Sequence, residues 1–252
     1  MRGFLSALYS ACAYAFFLAT FVYAIFFVEG VLATKTIDSG ARSPLLSSFA
    51  INALLLGVFA LQHTIMARPA FKRAWTRIIP PDIERSTFVL AASLALALLM
   101  WQWRPIPQLV WSVSDPLAFA LSAVSWAGWA IVLISTFLIS HFHLFGLSQG
   151  WARVLKLNPA AVDQKFVTPL FYRWIRHPIY LGFILAFWAA PQMSIGHLFF
   201  AIMTTGYIFT GIWFEERDLL AHFGDRYRIY RDQVGMVFPK LLGRSKSKNP
   251  IV

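Results

Sequence analysis

Five long stretches without a charged side chain divide the sequence. They cover residues 3–28, 43–67, 86–103, 116–152 and 177–214, and they contain 26, 25, 18, 37 and 38 residues. Because about 20 apolar residues span a bilayer as a helix, each of the first three stretches predicts one membrane-spanning helix.

The two longest stretches contain more than one element. The fourth predicts a helix that ends near His141, followed by an amphipathic segment with Gly146 and Gly150. The last contains Pro191 and a polar, turn-like run over 192–196, which predicts the tip of a hairpin of two short helices. We therefore expect six helices, with both termini on the same side of the membrane.

The composition agrees with this pattern. The chain of 252 residues is 58% hydrophobic and 13% charged, whereas soluble domains carry roughly 25% charged residues. These values exclude a soluble enzyme. They predict an all-α integral membrane protein, a polytopic helical bundle with amphipathic cytoplasmic segments over 152–176 and 215–239.

The basic residues are distributed unevenly between the two sides. Of the 22 Lys and Arg residues, 19 fall in segments that the six-helix topology places on one side, and 3 fall on the other. Because basic residues accumulate in cytoplasmic loops, we expect both termini in the cytoplasm. The net charge of +11 then reflects membrane topology, so we expect no nucleic-acid partner.

Ionisable residues gather at the predicted cytoplasmic ends of the helices. His63, His141, His143 and His177 lie there together with the Glu215-Glu216 pair. Such residues in membrane helices are costly, which favours a polar site open to the cytoplasm; the alternative is that they only contact headgroup water. His141 and His143 are two residues apart, about 200° around a helix, so we expect no metal site.

The segment from Arg176 to Tyr180 predicts a helix start that binds an anionic group. Pro178 suits the first helical turn, and Arg176 adds a positive charge beside the free backbone donors. Glu215 and Glu216 are predicted to end the last helix, where they favour a cation. A bound zwitterion satisfies both places, and the alternative is a direct ion pair between Arg176 and a glutamate.

The C-terminal half resembles a known family through several spaced motifs. They are Arg176-His177-Pro178-x-Tyr180, Glu215-Glu216 after the predicted hairpin, and Phe223-Gly224-x-x-Tyr227-x-x-Tyr230. This arrangement over 140–239 resembles the isoprenylcysteine carboxyl methyltransferase superfamily. His141-Phe142 and Leu144-Phe145-Gly146-Leu147-x-Gln149 are most similar to its bacterial methanethiol S-methyltransferase branch.

The resemblance implies S-adenosylmethionine as the methyl donor and a small volatile thiol, most simply methanethiol, as the acceptor. It implies a cofactor site lined by six residues: Gln164, Val167, Tyr172, His177, Tyr180 and Glu215. We assign catalytic roles to His141, as a base for the thiol, and to Arg176. Carboxyl methyltransferases of the superfamily carry an arginine where this chain has Gly211, which disfavours a carboxylate acceptor.

We expect one membrane domain over 1–252, with N-terminal helices in 1–135, the cofactor-binding core in 140–240 and a basic tail in 241–252. The expected location is the bacterial inner membrane, where lipid is a further partner; the oligomeric state stays open. Alternative acceptors are another thiol, a phospholipid amine or a prenylcysteine carboxylate. A non-catalytic membrane protein linked to nitrogen-oxide metabolism is the alternative from a different class.

Overall fold

A computed structural model describes residues 2–152, 154–157 and 167–240. Its elements follow in chain order as α1 (Arg2–Glu29), α2 (Leu45–Ala67), α3 (Pro69–Trp75), α4 (Pro81–Gln102), β1 (Leu109–Ser112), α5 (Leu117–Leu138), α6 (His141–Leu144), α7 (Leu147–Ala152), a 3-10 turn (Leu170–Arg173), α8 (Pro178–Trp188), β2 (Gln192–Ser194), α9 (Ile195–Phe223) and α10 (Asp225–Gln233). The predicted all-α membrane architecture is confirmed.

Five of the described helices are long and apolar enough to cross a membrane, namely α1, α2, α4, α5 and α9. The sixth predicted helix, α8, has 11 residues, about 16 Å at 1.5 Å per residue and roughly half of the hydrocarbon thickness. The chain then turns at Pro191 as predicted. The hairpin therefore combines one short helix with the 29-residue α9, and the expectation of two short helices is wrong for the second.

Helix α9 continues beyond the point at which the sequence pattern ends it. Glu215 and Glu216 lie inside the helix, which ends eight residues later where Gly224 adopts φ +56°. Glycine enters this left-handed region without steric cost and commonly ends helices. The expectation that the two glutamates face the negative end of a helix dipole is therefore wrong, because leaving the hydrocarbon layer does not require a helix to stop.

The hairpin tip is held by a short sheet that the sequence pattern does not indicate. Strand β2 pairs antiparallel with β1, with Leu109 opposite Ser194 and Ser112 opposite Gln192. The amides of Ile195 and Gly196 then donate to the carbonyls of Gln108 and Ile106, at 2.8 and 2.9 Å. These contacts fasten the start of α9 to the segment after α4.

Aromatic side chains and glycines pack the interior. Trp129 on α5 contacts Phe21, Phe183 and Phe187, with ring centroids 5.7 to 5.9 Å apart. A Cβ added at Gly128 would lie 2.5 Å from the carbonyl oxygen of Gly182. Helices α5 and α8 therefore approach backbone to backbone, as small residues permit in membrane bundles.

Charged loops gather at the two ends of the bundle. At one end Arg68 pairs with Asp218 at 3.0 Å, and Arg85 donates to the carbonyl of Leu144 at 2.7 Å. At the opposite end Asn52 exchanges two hydrogen bonds of 2.8 Å with the backbone of Arg104. The contacts are consistent with helices that run alternately between two faces.

Candidate active site

The start of α8 is fixed by the segment that follows α10. The amides of Arg176 and His177 donate to the carbonyls of Gly235 and Met236, at 2.8 and 3.1 Å. Pro178 occupies the first helical turn, as the sequence predicts. The two side chains before α8 are thereby held against α9.

Arg176 forms a buried ion pair with the second glutamate. Its Nε and Nη2 atoms lie 2.7 and 2.6 Å from Glu216 Oε1, and the two side chains are 6% and 12% exposed. Its Nη1 donates to the backbone carbonyls of Arg231 and Val234. The alternative of a direct ion pair is thus the arrangement present, and the guanidinium connects α8, α9 and the end of α10.

His177 lies between the two glutamates. Its Nε2 is 3.0 Å from Glu216 Oε1, and its Nδ1 is 3.7 Å from Glu215 Oε2. The side chain is 3% exposed, so the imidazole lies between two carboxylates inside the protein. It joins the buried ion pair to the outer glutamate.

Glu215 differs from its neighbour in exposure and in partners. Its side chain is 46% exposed, and its Oε2 accepts a hydrogen bond of 3.0 Å from the hydroxyl of Tyr180. Consecutive helical residues point about 100° apart, which separates a neutralised glutamate from one whose charge faces outward. These residues fit a cationic ligand, because Glu215 offers an outward-facing carboxylate next to an aromatic residue, Tyr180.

Further tyrosines lie near this carboxylate. Burial, followed by the charge of Glu215, raises the pKa of Tyr172 well above its ordinary range, so its hydroxyl stays protonated and able to donate. The carbonyl of Tyr172 accepts a bond of 2.6 Å from the hydroxyl of buried Tyr230. Tyr230 and Tyr227 belong to the sequence motif but were not predicted as site residues; they pack α10 beneath the cluster.

The predicted site residues thus fall into separate groups. The structure brings together Tyr172, Arg176, His177, Tyr180 and Glu215. Val167 is described and is 52% exposed, and its role stays a prediction. Gln164 lies outside the described residues.

His141 contacts α1 and α5 and lies apart from the two glutamates. Its Nε2 and Nδ1 lie 2.8 Å from the hydroxyls of Tyr14 and Thr136, and its ring stacks on Phe137 at 4.1 Å. Because Thr136 donates its proton to the carbonyl of Leu133 at 2.7 Å, Nδ1–H donates to Thr136, and Nε2 accepts from Tyr14.

Burial lowers the pKa of His141, so its imidazole is neutral at pH 7. Tyr14 was missed because no sequence motif relates residues 127 positions apart. The catalytic roles predicted for His141 and Arg176 stay predictions.

Comparisons with known proteins identify the family of this chain. No family model matches the chain, and no solved structure matches it significantly. Methanethiol S-methyltransferase of Mycobacterium tuberculosis is 51% identical over 240 residues, which cover 95% of this chain and 98% of the relative. Methanethiol S-methyltransferase 1 of Bradyrhizobium diazoefficiens is 52% identical over 237 residues, covering 94% and 82%.

A more distant similarity supports the wider relationship. Nurim of Rattus norvegicus is 30% identical over 187 residues, 69% of each chain. The bacterial enzymes match at higher identity and over nearly the full chain, in agreement with the similarity of the motifs between His141 and Tyr230. The chain belongs to the methanethiol S-methyltransferase family.

Proposed function

We propose that this protein transfers a methyl group from S-adenosylmethionine to methanethiol and forms dimethyl sulfide. The family membership supports a methyl transfer, and a methyl transfer requires a donor. The observation that carries the choice of donor is Glu215, a half-exposed carboxylate next to the Tyr180 hydroxyl and close to Tyr172. S-adenosylmethionine supplies an electrophilic methyl group on a cationic sulfur, together with an amino-acid moiety.

Different residues bind different parts of this donor. Glu215 attracts a cationic part, and Tyr180 orients the carboxylate by donating to Oε2. Arg176 and His177 compensate the charge of Glu216, which leaves Glu215 as the outward-facing negative group of the pair. We infer that Arg176 contributes as a positioning residue, and that Gln164, Val167 and Tyr172 line the remaining donor site.

The acceptor has different requirements. A thiol reacts as its thiolate, and a reference thiol has a pKa near ~8.5, so the site must remove a proton or stabilise the anion. We propose that His141 receives the proton. Since its Nε2 is bonded to Tyr14, the proton reaches His141 through the Tyr14 hydroxyl, which passes its own proton to Nε2.

A carboxylate acceptor fits these surroundings less well. Gly211 lies one helical turn before Glu215, and a Cβ there would point toward the Tyr180 hydroxyl, 3.7 Å away. Glycine offers no cation to a substrate carboxylate at this place. This favours a small neutral thiol, which also partitions into the apolar bundle.

We propose the bacterial inner membrane as the location, with both termini in the cytoplasm. The uneven basic charge supports this orientation, since it places Glu215 on the side where the water-soluble donor is made.

Headspace detection of dimethyl sulfide tests the proposed function. Purified protein in detergent is given methanethiol and S-adenosylmethionine with a labelled methyl group. We expect labelled dimethyl sulfide in the headspace and S-adenosylhomocysteine in solution in equal amounts. If the protein consumes the donor with a phospholipid or another thiol but not with methanethiol, that compound is the acceptor and the proposal is wrong.

A further inference from the structure

A second polar pair lies inside the bundle and is not used by the donor site. Nδ1 of His63 on α2 is 2.9 Å from the phenol oxygen of Tyr207 on α9, and the two residues are 144 positions apart. The imidazole packs against the rings of Phe59 and Phe88, at centroid separations of 5.6 and 5.0 Å. Titratable groups within membrane helices are costly, so this pair points to a function.

The pair is aligned with the donor site along one face of α9. Tyr207, Gly211 and Glu215 follow one another at intervals of four residues, about 6 Å of helix rise for each step. A Cβ at Gly211 would meet the Tyr180 hydroxyl at 3.7 Å, and no other described atom within 4 Å. Open space beside Gly211 thus lies between Tyr207 and Glu215 along the helix, with the Tyr180 hydroxyl at its edge; we call this space the opening.

Two arginines make the electrostatic potential at the pair more positive. The charges of Arg68 and Arg85 act on His63, and that of Arg68 also acts on Tyr207. Arg68 is held by Asp218 at 3.0 Å, and Arg85 by the carbonyl of Leu144 at 2.7 Å. Asp218 offsets part of the charge of Arg68, and the remaining positive potential favours an anion between the helices.

Among the described residues, the Tyr207 hydroxyl has two hydrogen-bonding partners, Thr64 and His63. It accepts a hydrogen bond from the Thr64 hydroxyl at 3.4 Å. As part of the proposal below, we assign the imidazole proton to Nδ1, so that His63 donates the second bond to the phenol oxygen. A hydroxyl offers one donor and two acceptor positions, so the remaining position is the Tyr207 proton itself, and this proton can be donated to a ligand.

We propose that Tyr207 binds the acceptor sulfur as a thiolate in the opening at Gly211, and that His63 is the positioning residue that orients the Tyr207 hydroxyl. This inference rests on the proposed function. Two groups on α9 then bind the two reactants: the Glu215 carboxylate faces the donor's cation, and the Tyr207 O–H faces the acceptor's anion.

The reaction balances with these groups. The thiol proton leaves for water, from which it can reach His141 through Tyr14. An electron pair of the thiolate sulfur forms the bond to the methyl carbon. The bond from that carbon to the donor sulfur breaks, and its electron pair stays on the donor, which becomes neutral. Tyr207 keeps its proton throughout and contributes the hydrogen bond that stabilises the anion before transfer.

Tyr207→Phe, which removes only the hydroxyl, tests this role. We expect kcat/KM for methanethiol at pH 7 to fall about tenfold or more. For the more acidic trifluoroethanethiol, of which a much larger fraction is ionised without help, we expect a smaller loss. Ultraviolet difference absorbance of the complex with methanethiol and S-adenosylhomocysteine should show a smaller thiolate fraction, whereas calorimetric binding of S-adenosylhomocysteine alone should be unchanged.

Tyr23→Phe is the matched control, because it removes a phenol that donates to the carbonyl of Lys35 at the opposite end of the bundle. It should keep the wild-type kinetics and thiolate fraction. At His63, Gln can still donate to Tyr207 and should retain more activity than Leu. If Tyr207→Phe fails to bind S-adenosylhomocysteine, the comparison of His63→Gln with His63→Leu decides the question.

Two results would overturn the inference. One is a wild-type thiolate fraction and kcat/KM in Tyr207→Phe, and the other is an equal loss with both thiols. Equal activities in the two His63 variants would reject the positioning role. A wild-type protein that forms no dimethyl sulfide contradicts the proposed function instead, so the two failures are distinguishable.

Discussion

Replacing each of the two adjacent glutamates by glutamine should separate ligand binding from folding. Glu215→Gln keeps the size of the side chain and its hydrogen bond with Tyr180 but removes the outward-facing charge. Two unit charges 4 Å apart interact by about 4 kcal/mol at an effective dielectric constant of 20. Solvent screening reduces this contribution because the Glu215 side chain is 46% exposed.

We therefore expect a loss of about 1 to 2 kcal/mol in donor binding, which corresponds to a roughly 5- to 30-fold higher Kd. Thermal stability should change little. Glu216→Gln leaves the guanidinium of Arg176, which is 6% exposed, without its carboxylate. Removing one partner of a buried ion pair costs about 3 to 5 kcal/mol, so this variant should unfold at lower temperature and lose less donor affinity.

Isothermal calorimetry with S-adenosylmethionine and S-adenosylhomocysteine measures the first effect, and a thermal melt in detergent measures the second. If Glu215 faces the sulfonium, Glu215→Gln should weaken the methyl donor more than its product, which lacks that charge. If it faces the amino group, both ligands should lose equally. The reasoning is refuted if the two variants lose the same donor affinity, or if Glu215→Gln is the less stable protein.

Three further predictions concern topology, acid–base chemistry and packing. An alkaline-phosphatase fusion after Lys240 should be inactive; an active fusion would place this end outside the cytoplasm. His141→Ala should lower turnover at pH 7, and the deficit should shrink toward the thiol pKa because ionised methanethiol needs no base; a deficit independent of pH would assign His141 a structural role. Since burial lowers the pKa of His141, its protonation opposes folding, so wild-type stability should fall more than that of the variant as pH decreases through ~6.5. Gly128→Ala should destabilise the protein by about 1 to 3 kcal/mol, because its Cβ would lie 2.5 Å from the carbonyl oxygen of Gly182; Gly57→Ala, where no described atom lies within 4 Å of the added Cβ, is the control, and equal melting temperatures would contradict this packing.

Several elements of the fold follow from local rules and are therefore predictable from the sequence. Apolar length predicted the membrane helices, Pro191 and the polar run after it predicted the hairpin tip, and Pro178 predicted the start of α8. These features depend on the hydrophobic thickness of a bilayer and on the backbone of a single residue. Motif spacing was likewise sufficient for the family, as the relatives confirm.

Which groups meet depends on how the helices pack. Glu215 and Glu216 are adjacent in the sequence, but the helix directs one to Arg176 and the other toward Tyr180. The partners of His141 and His63 lie 127 and 144 residues away, respectively. Helix packing brings such residues together, and no local pattern specifies it. Local hydropathy likewise located the end of the apolar stretch at Phe214, whereas backbone hydrogen bonding continues α9 to Phe223, where Gly224 ends it.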